Sequence, residues 1–169
     1  MFFKKNNYST PLIIIIITLI IDQASKLLIS LFFDSYSHSK DIFFDYLRFT
    51  YITNDGIAFG FNPFKEQIFL FILSIFAVFF VIKILFNSPD TPYLSQIGLS
   101  LIIGGALGNL VDRFFTTFNI MGYTGVIDFI DIGINHYRFY IFNFADSFIT
   151  IGIILYIYSF IRLKMDNEK

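Results

Sequence analysis

The sequence predicts a mainly α membrane protein, with four transmembrane helices and a small extracytoplasmic β-hairpin or sheet subdomain, in a single integral membrane domain over 1–169. Three observations lead there. The composition is 56% hydrophobic and 21% aromatic with 15% charge, against roughly 25% charge in soluble domains. Four apolar stretches, near 11–33, 66–86, 94–112 and 142–162, approach the roughly 20 residues that a helix needs to cross an apolar layer about 30 Å thick. The two longer intervals, 34–65 and 113–141, carry turn residues and short runs typical of strands.

Pro11 opens the first span, Pro63 precedes the second, and Asn87-Ser88-Pro89-Asp90-Thr91-Pro92 separates the second from the third with residues that stop helices. The first span imitates a signal peptide. Its apolar stretch runs on through Asp22-Gln23-Ala24-Ser25-Lys26 to Phe33 without a small-residue cleavage site, so it is expected to be retained. In 34–65, Leu47, Phe49 and Tyr51 alternate with Arg48, Thr50 and Ile52. Asn54-Asp55-Gly56 then supplies a tight turn before Ile57 to Phe61, which predicts an amphipathic hairpin. In 113–141, Val126 to Ile132 and Asn135 to Ile141 read as two further extended segments, and no internal repeat is found.

Lys4, Lys5, Lys83, Arg162, Lys164 and Lys169 gather at one side of the spans, against Lys40, Arg48, Lys65, Arg113 and Arg138 in the two long intervals. The balance predicts both termini in the cytoplasm. A net charge of −1, with no basic block, argues against a nucleic-acid partner. The absence of cysteine excludes disulfides, thiolate catalysis and thiolate-bound metal, and His38 and His136 are far apart in sequence. No metal site and no cofactor are expected.

The informative residues are the polar ones that an apolar bundle must tolerate, since an Asp at the centre of a membrane helix costs about 2.5–3.5 kcal/mol on insertion scales. Asp22 and Lys26 are spaced i, i+4 on one face of the first span, which suits a structural ion pair or a proton or ion relay. Gly104-Gly105-Ala106-Leu107-Gly108 permits close helix packing in the third span. Asn109 and Asp112 follow on one face, with Arg113 beside the acid. Asn143 and Asp146 repeat the Asn-x-x-Asp spacing at the start of the fourth span. For Asp146 alone, helix capping is a full alternative to a functional role. Capping explains one acid and not a convergence that also includes Asp128. Asp34, Asp41, Asp45 and Asp131 are expected to be solvated loop charges without a role.

These blocks resemble the lipoprotein signal peptidases of bacteria, or signal peptidase II, an aspartic class of membrane peptidase. The resemblance runs over nearly the whole chain: Asp22-Gln23 through Lys26, Asn54-Asp55-Gly56-Ile57-Ala58-Phe59-Gly60, Gly104 through Arg113, Val126-Ile127-Asp128-Phe129, and Phe142-Asn143-Phe144-Ala145-Asp146-Ser147. It implies that Asp128 and Asp146 are the catalytic pair, and that Asp22, Lys26, Asn54, Gly56, Asn109, Asp112, Arg113 and Asn143 support it or hold substrate. It implies cleavage of the signal peptide from a prolipoprotein immediately before a cysteine carrying diacylglycerol, at the outer face of the cytoplasmic membrane of a bacterium. The expected partners are that substrate and membrane lipid, with the protein acting as a monomer. Two departures stand out. Asp55 replaces a small or hydroxyl residue, and Phe114 to Thr124 is longer than the family pattern, which predicts an outward loop.

Two facing carboxylates cannot easily both ionise, so one holds a proton while the other acts as a base toward water. The alternative from another class is a small ion or solute transporter using intramembrane acids, which an Asp22–Lys26 pair also suits.

Overall fold

The structure is a computed structural model, and its described residues are 8–33, 38–56, 67–87 and 91–167. Four helices carry the chain: α1 (Ser9–Phe32), α2 (Gln67–Asn87), α3 (Tyr93–Thr117) and α4 (Phe144–Asn167). All four are long and apolar enough to cross a membrane. Four strands form one antiparallel sheet in the order β1 (Ser39–Phe43), β2 (Leu47–Asn54), β3 (Val126–Ile134) and β4 (Tyr137–Arg138). The expected α-rich architecture with a small β subdomain is therefore what forms.

The third helix is the hub, packing against α1, α2 and α4. Its glycines make that possible. A Cβ at Gly105 would lie 2.5 Å from the Ala145 carbonyl oxygen, and one at Gly108 would collide with the Asp22 carboxylate. Further along, Gly98 and Gly152 face each other, where a Cβ on either would come within 2.7 Å or less of the other's carbonyl oxygen. Backbone contact at these points is what brings polar side chains of α1, α3 and α4 into reach of one another.

The sheet covers the bundle end at which α1 and α3 finish and α4 begins. Its inner apolar face joins Ile127, Phe129 and Ile130 to Ile29 of α1 and to Phe33 just past its end, with Leu47, Phe49, Phe142 and Phe144 packed around them. Strand register makes the sheet amphipathic. Leu47 pairs with Ile132 and Phe49 with Ile130 on the face toward the helices, whereas Arg48 pairs with Asp131 on the other. Between Phe49–Ile130 and Ile52–Asp128 the register slips, because β2 advances by three residues while β3 advances by two. This bulge lies at Asp128, and Phe129 and Ile130 instead donate to the Phe142 carbonyl (3.1 and 2.7 Å).

Several expectations change in detail. The hairpin described is β1–β2, joined through Phe44 to Tyr46, one strand earlier than the one expected around Asn54-Asp55-Gly56. The predicted return strand, 57–61, lies outside the described residues. The third span runs on to Thr117, because Phe114 and Phe118 stack against Phe71 of α2 (5.9 and 6.0 Å between centroids) and hold the extra turn. The first part of the supposed outward loop, Phe114 to Thr117, is thus helix, and a short 3-10 turn follows at Ile120–Gly122. The fourth span begins at Phe144, not 142, since the backbone of Phe142 is bridged to Ile130. Asp131 is not a solvated loop charge. It is buried on β3, where it accepts from Thr50 (3.0 Å) and pairs with Arg138 (2.6 Å). Asp45 likewise pairs with Arg48 and Arg138.

A Gly98→Leu substitution drives a branched side chain into the α4 backbone. It is expected to destabilise the protein in detergent by about 1–3 kcal/mol, seen as a lower melting temperature. An unchanged melting temperature would show that α3 and α4 are not in contact there.

Candidate active site

The site is assembled from the start of α4 outward. The first turn of a helix leaves N–H groups without intrahelical partners. Asn143 is the cap: its Oδ1 accepts from the Asp146 N–H (2.9 Å), and Asp146 Oδ2 accepts in return from the Asn143 N–H (3.1 Å). This is a capping box with Asn and Asp in place of the usual Ser and Glu. The Ala145 N–H in the same turn donates to Asp22 Oδ1 (2.9 Å). Asp146 therefore does cap its helix, and its other oxygen remains available. That Oδ1 accepts from Asn109 Nδ2 (2.9 Å).

Asp128 reaches the same junction from β3. Its Oδ1 accepts from Asn143 Nδ2 (2.6 Å) and its Oδ2 from Asn54 Nδ2 (3.2 Å). The Gly56 N–H occupies Asn54 Oδ1 (3.0 Å), which orients that amide so that its nitrogen faces Asp128. Asn143 thus touches both acids, one through its side-chain amide and the other through its backbone. The same Nδ2 also lies near Asn109 Oδ1 (3.1 Å) and the Ile127 carbonyl (3.2 Å), so two hydrogens serve three acceptors.

Behind this pair lies a buried ionic cluster. Lys26 is 1% exposed, and its Nζ meets Asp22 Oδ2 (2.8 Å), Asp112 Oδ2 (2.8 Å) and Asn109 Oδ1 (3.0 Å). An ammonium has three N–H donors, and all three find acceptors. The expected ion pair of α1 is therefore present, widened to a second acid from α3. Asp112 Oδ2 also accepts from the Ile127 N–H (3.2 Å), which ties β3 to the cluster one residue before Asp128. The twin Asn-x-x-Asp spacings consequently do different work. The second is a helix cap, while the first bridges lysine, strand and acid.

Of the ten residues singled out from sequence, nine join this continuous hydrogen-bonded network. Arg113 is the exception. No hydrogen bond or ion pair links it to a described residue, although its charge acts on Asp146, Asp112 and Asp128.

Burial separates the two acids. Asp128 is 2% exposed whereas Asp146 is half-buried. Burial first, and then the charge of Asp146, push the Asp128 carboxyl up from 3.8 to about 7. Tyr140 feels both carboxylates as well, and its phenol is raised by partial burial and then by Asp146 and Asp128. A cavity of about 250 Å³ opens between Leu27, Ser30, Tyr51, Thr53, Tyr123 and Ile127, but none of the carboxylates lines it.

Two participants escaped the sequence reading. Gln23 donates to Asp22 Oδ2, Asp112 Oδ1 and the Gly108 carbonyl (3.2, 3.2 and 3.1 Å). Its polar amide inside an apolar span was the available signal. Tyr140 had none, since one more aromatic in an aromatic segment carries no distinguishing pattern.

A sequence model of the family described as signal peptidase (SPase) II matches residues 14–162. The chain belongs to this family. The lipoprotein signal peptidase of Lactobacillus johnsonii is 40% identical over 167 residues, covering 98% of this chain and 99% of the relative. That of Wigglesworthia glossinidia brevipalpis is 41% identical over 119 residues, covering 69% and 72%. A solved structure described as a bacterial membrane enzyme, determined by the in meso method at 2.3 Å resolution, superposes with a TM-score of 0.82 at 31% identity, covering 100% of this chain and 97% of that one. Fold and family membership therefore agree with the resemblance drawn from the five sequence blocks.

Removing the central cation leaves two buried acids facing each other. Lys26→Met is expected to destabilise the protein by about 3–5 kcal/mol, partly relieved when Asp112→Asn is added. Denaturation in detergent measures both, and an unaltered single variant would mean that the cluster carries no strain.

Asp128 also sets a pH dependence. Because its folded-state pKa lies above its unfolded value of 3.8, its stabilising contribution is complete below that value and is lost as pH climbs through about 7. Asp128→Asn is therefore expected to melt above the unsubstituted protein at about pH 8, with the gap narrowing toward about pH 5. A gap independent of pH would contradict this.

Proposed function

We propose that the chain is an aspartic endopeptidase that removes the signal peptide from diacylglyceryl-modified prolipoproteins, cutting before the lipidated cysteine. Family membership supports the peptidase, and the relatives' common name, lipoprotein signal peptidase, supports the substrate class. The observation that carries the two-aspartate reading is Asn143, bonded at once to a buried Asp128 and a more exposed Asp146. A shared cap holds two acids of unequal environment at one junction.

In this reading Asp128 holds the proton and Asp146 is the base. Asp146 takes a proton from water as its oxygen attacks the scissile carbonyl carbon, while Asp128 delivers its proton to the carbonyl oxygen. The product is a neutral gem-diol. Asp146 then returns a proton to the amide nitrogen, Asp128 recovers one from a diol hydroxyl, and the C–N bond breaks to give acid and amine. No bond forms between enzyme and substrate. Asn109 and Asn143 hold Asp146 in place by hydrogen bonds, Asn54 and Asn143 hold Asp128, and Arg113 offers its guanidinium to substrate carbonyls.

The chain works as one integral domain and as a monomer in a bacterial cytoplasmic membrane, with both termini inside. The sheet and the acids lie toward the outer face, where a lipid-anchored substrate approaches along the bilayer.

Purified protein in detergent, given a lipidated prolipoprotein, is expected to release the signal peptide. Asp128→Asn and Asp146→Asn are each expected to lower the rate by at least about a thousandfold while remaining folded. Asp112→Asn, which leaves both members of the pair in place, is expected to retain measurable turnover. Full activity in either of the first two variants removes that residue from the pair, and a dead but folded Asp112→Asn reassigns the roles.

A further inference from the structure

The amphipathic sheet is larger than the bundle end beneath it. Leu47, Phe49 and Ile130 on its apolar face are covered by α1 and the start of α4. The same face continues past the helices through Ile132, the cross-strand partner of Leu47, and through Ile134, paired with Tyr137. Phe139 lies two residues beyond Tyr137 and donates its N–H to the Ile132 carbonyl (2.8 Å). These four side chains are 45, 53, 90 and 57% exposed in the order Ile132, Ile134, Tyr137, Phe139.

We propose that this overhanging apolar face rests in the headgroup and upper acyl region of the leaflet next to the sheet, as an interfacial foot that fixes the height of β3, and so of Asp128, above the bilayer. Three observations select lipid as the occupant. The face points in the same direction as the part already packed on the helix ends, so it meets the plane in which the lipid-facing sides of the helices emerge. It is also continuous with them, since Phe139 and Tyr140 stack toward Phe142 (6.1 Å between centroids in each case), two residues before α4 begins. Arg138 and Arg48 are kept on the opposite face and neutralised there, by Asp131 and by Asp41 and Asp45, while the exposed Lys40, cross-strand partner of Phe49, is the cation on the apolar side and suits a lipid phosphate. An aromatic face with a Tyr hydroxyl, bordered by a lysine and free of unpaired acids, suits the membrane interface.

The chain contains no tryptophan, so a single introduced indole reports without background. Tyr137→Trp, Phe139→Trp and, on the opposite face, Ser39→Trp would be placed one at a time in the full chain and reconstituted in phosphatidylcholine vesicles with brominated acyl chains. The first two are expected to emit to the blue of Ser39→Trp and to be quenched several-fold more strongly, most of all by bromines close to the headgroup. Equal quenching of all three, or water-like emission from the first two, would overturn the proposal and leave the face to water or to a protein partner. The readout does not depend on cleavage, so it stands apart from the proposed peptidase reaction.

Discussion

A lysine ammonium almost wholly removed from solvent needs anions, and the rest of this site follows from where they come from. Lys26 draws one carboxylate from its own helix and one from α3, with the Asn109 amide oxygen as third acceptor. Each acid is then used twice. Asp22 also holds the Ala145 N–H at the start of α4, and Asp112 also holds the Ile127 N–H on β3. One buried cation therefore registers two helices, a helix start and a strand relative to one another. Desolvating such a cluster is costly, and its attraction repays that only with this full set of hydrogen bonds. The glycines of α3 are part of the same requirement, because a Cβ at position 108 would occupy the place of the Asp22 carboxylate.

From this anchor the geometry passes outward by one residue on each side. Ile127 precedes Asp128, and Ala145 precedes Asp146, so each acid of the pair is the chain neighbour of an amide fixed by the cluster. Asn109 and Asn143 then complete the connection from lysine to carboxylates. Both acids are consequently held on rigid supports. Asp128 is carried by the most buried strand and sits at a bulge stitched to Phe142, which gives it a place as firm as that of Asp146 on its capped turn. Their difference lies in exposure, and in the proposed reaction that difference is the ground for giving the proton to Asp128 and the base role to Asp146.

The four spans were legible because apolar runs of bilayer length have few other uses, and the acids and amides were legible because lipid makes them expensive. Cross-chain placement was harder to read. β2 and β3 are separated by two helices, and no local pattern announces that Arg48 stands opposite Asp131 or that Asp131 is buried. The β1 strand, Ser39–Phe43, lacks the alternation that marks β2, so its pairing with β2 was not legible. The end of α3 was misjudged at Asp112 for a related reason. A charged pair reads as a boundary in sequence, whereas here the acid is neutralised by Lys26 and aromatic stacking prolongs the helix. The equal spacing of Asn109–Asp112 and Asn143–Asp146 likewise hid two unlike functions.

The central claim is that Asp128 and Asp146 form one coupled unit in which the buried member keeps its proton. The direct measurement is a pH titration of the Asp128 carboxyl carbon by NMR in selectively labelled protein, with and without Asp146→Asn. The account predicts a midpoint near 7 in the unsubstituted protein and a lower one once the neighbouring charge is removed. A midpoint in the ordinary carboxylate range, or one indifferent to Asp146→Asn, would contradict it.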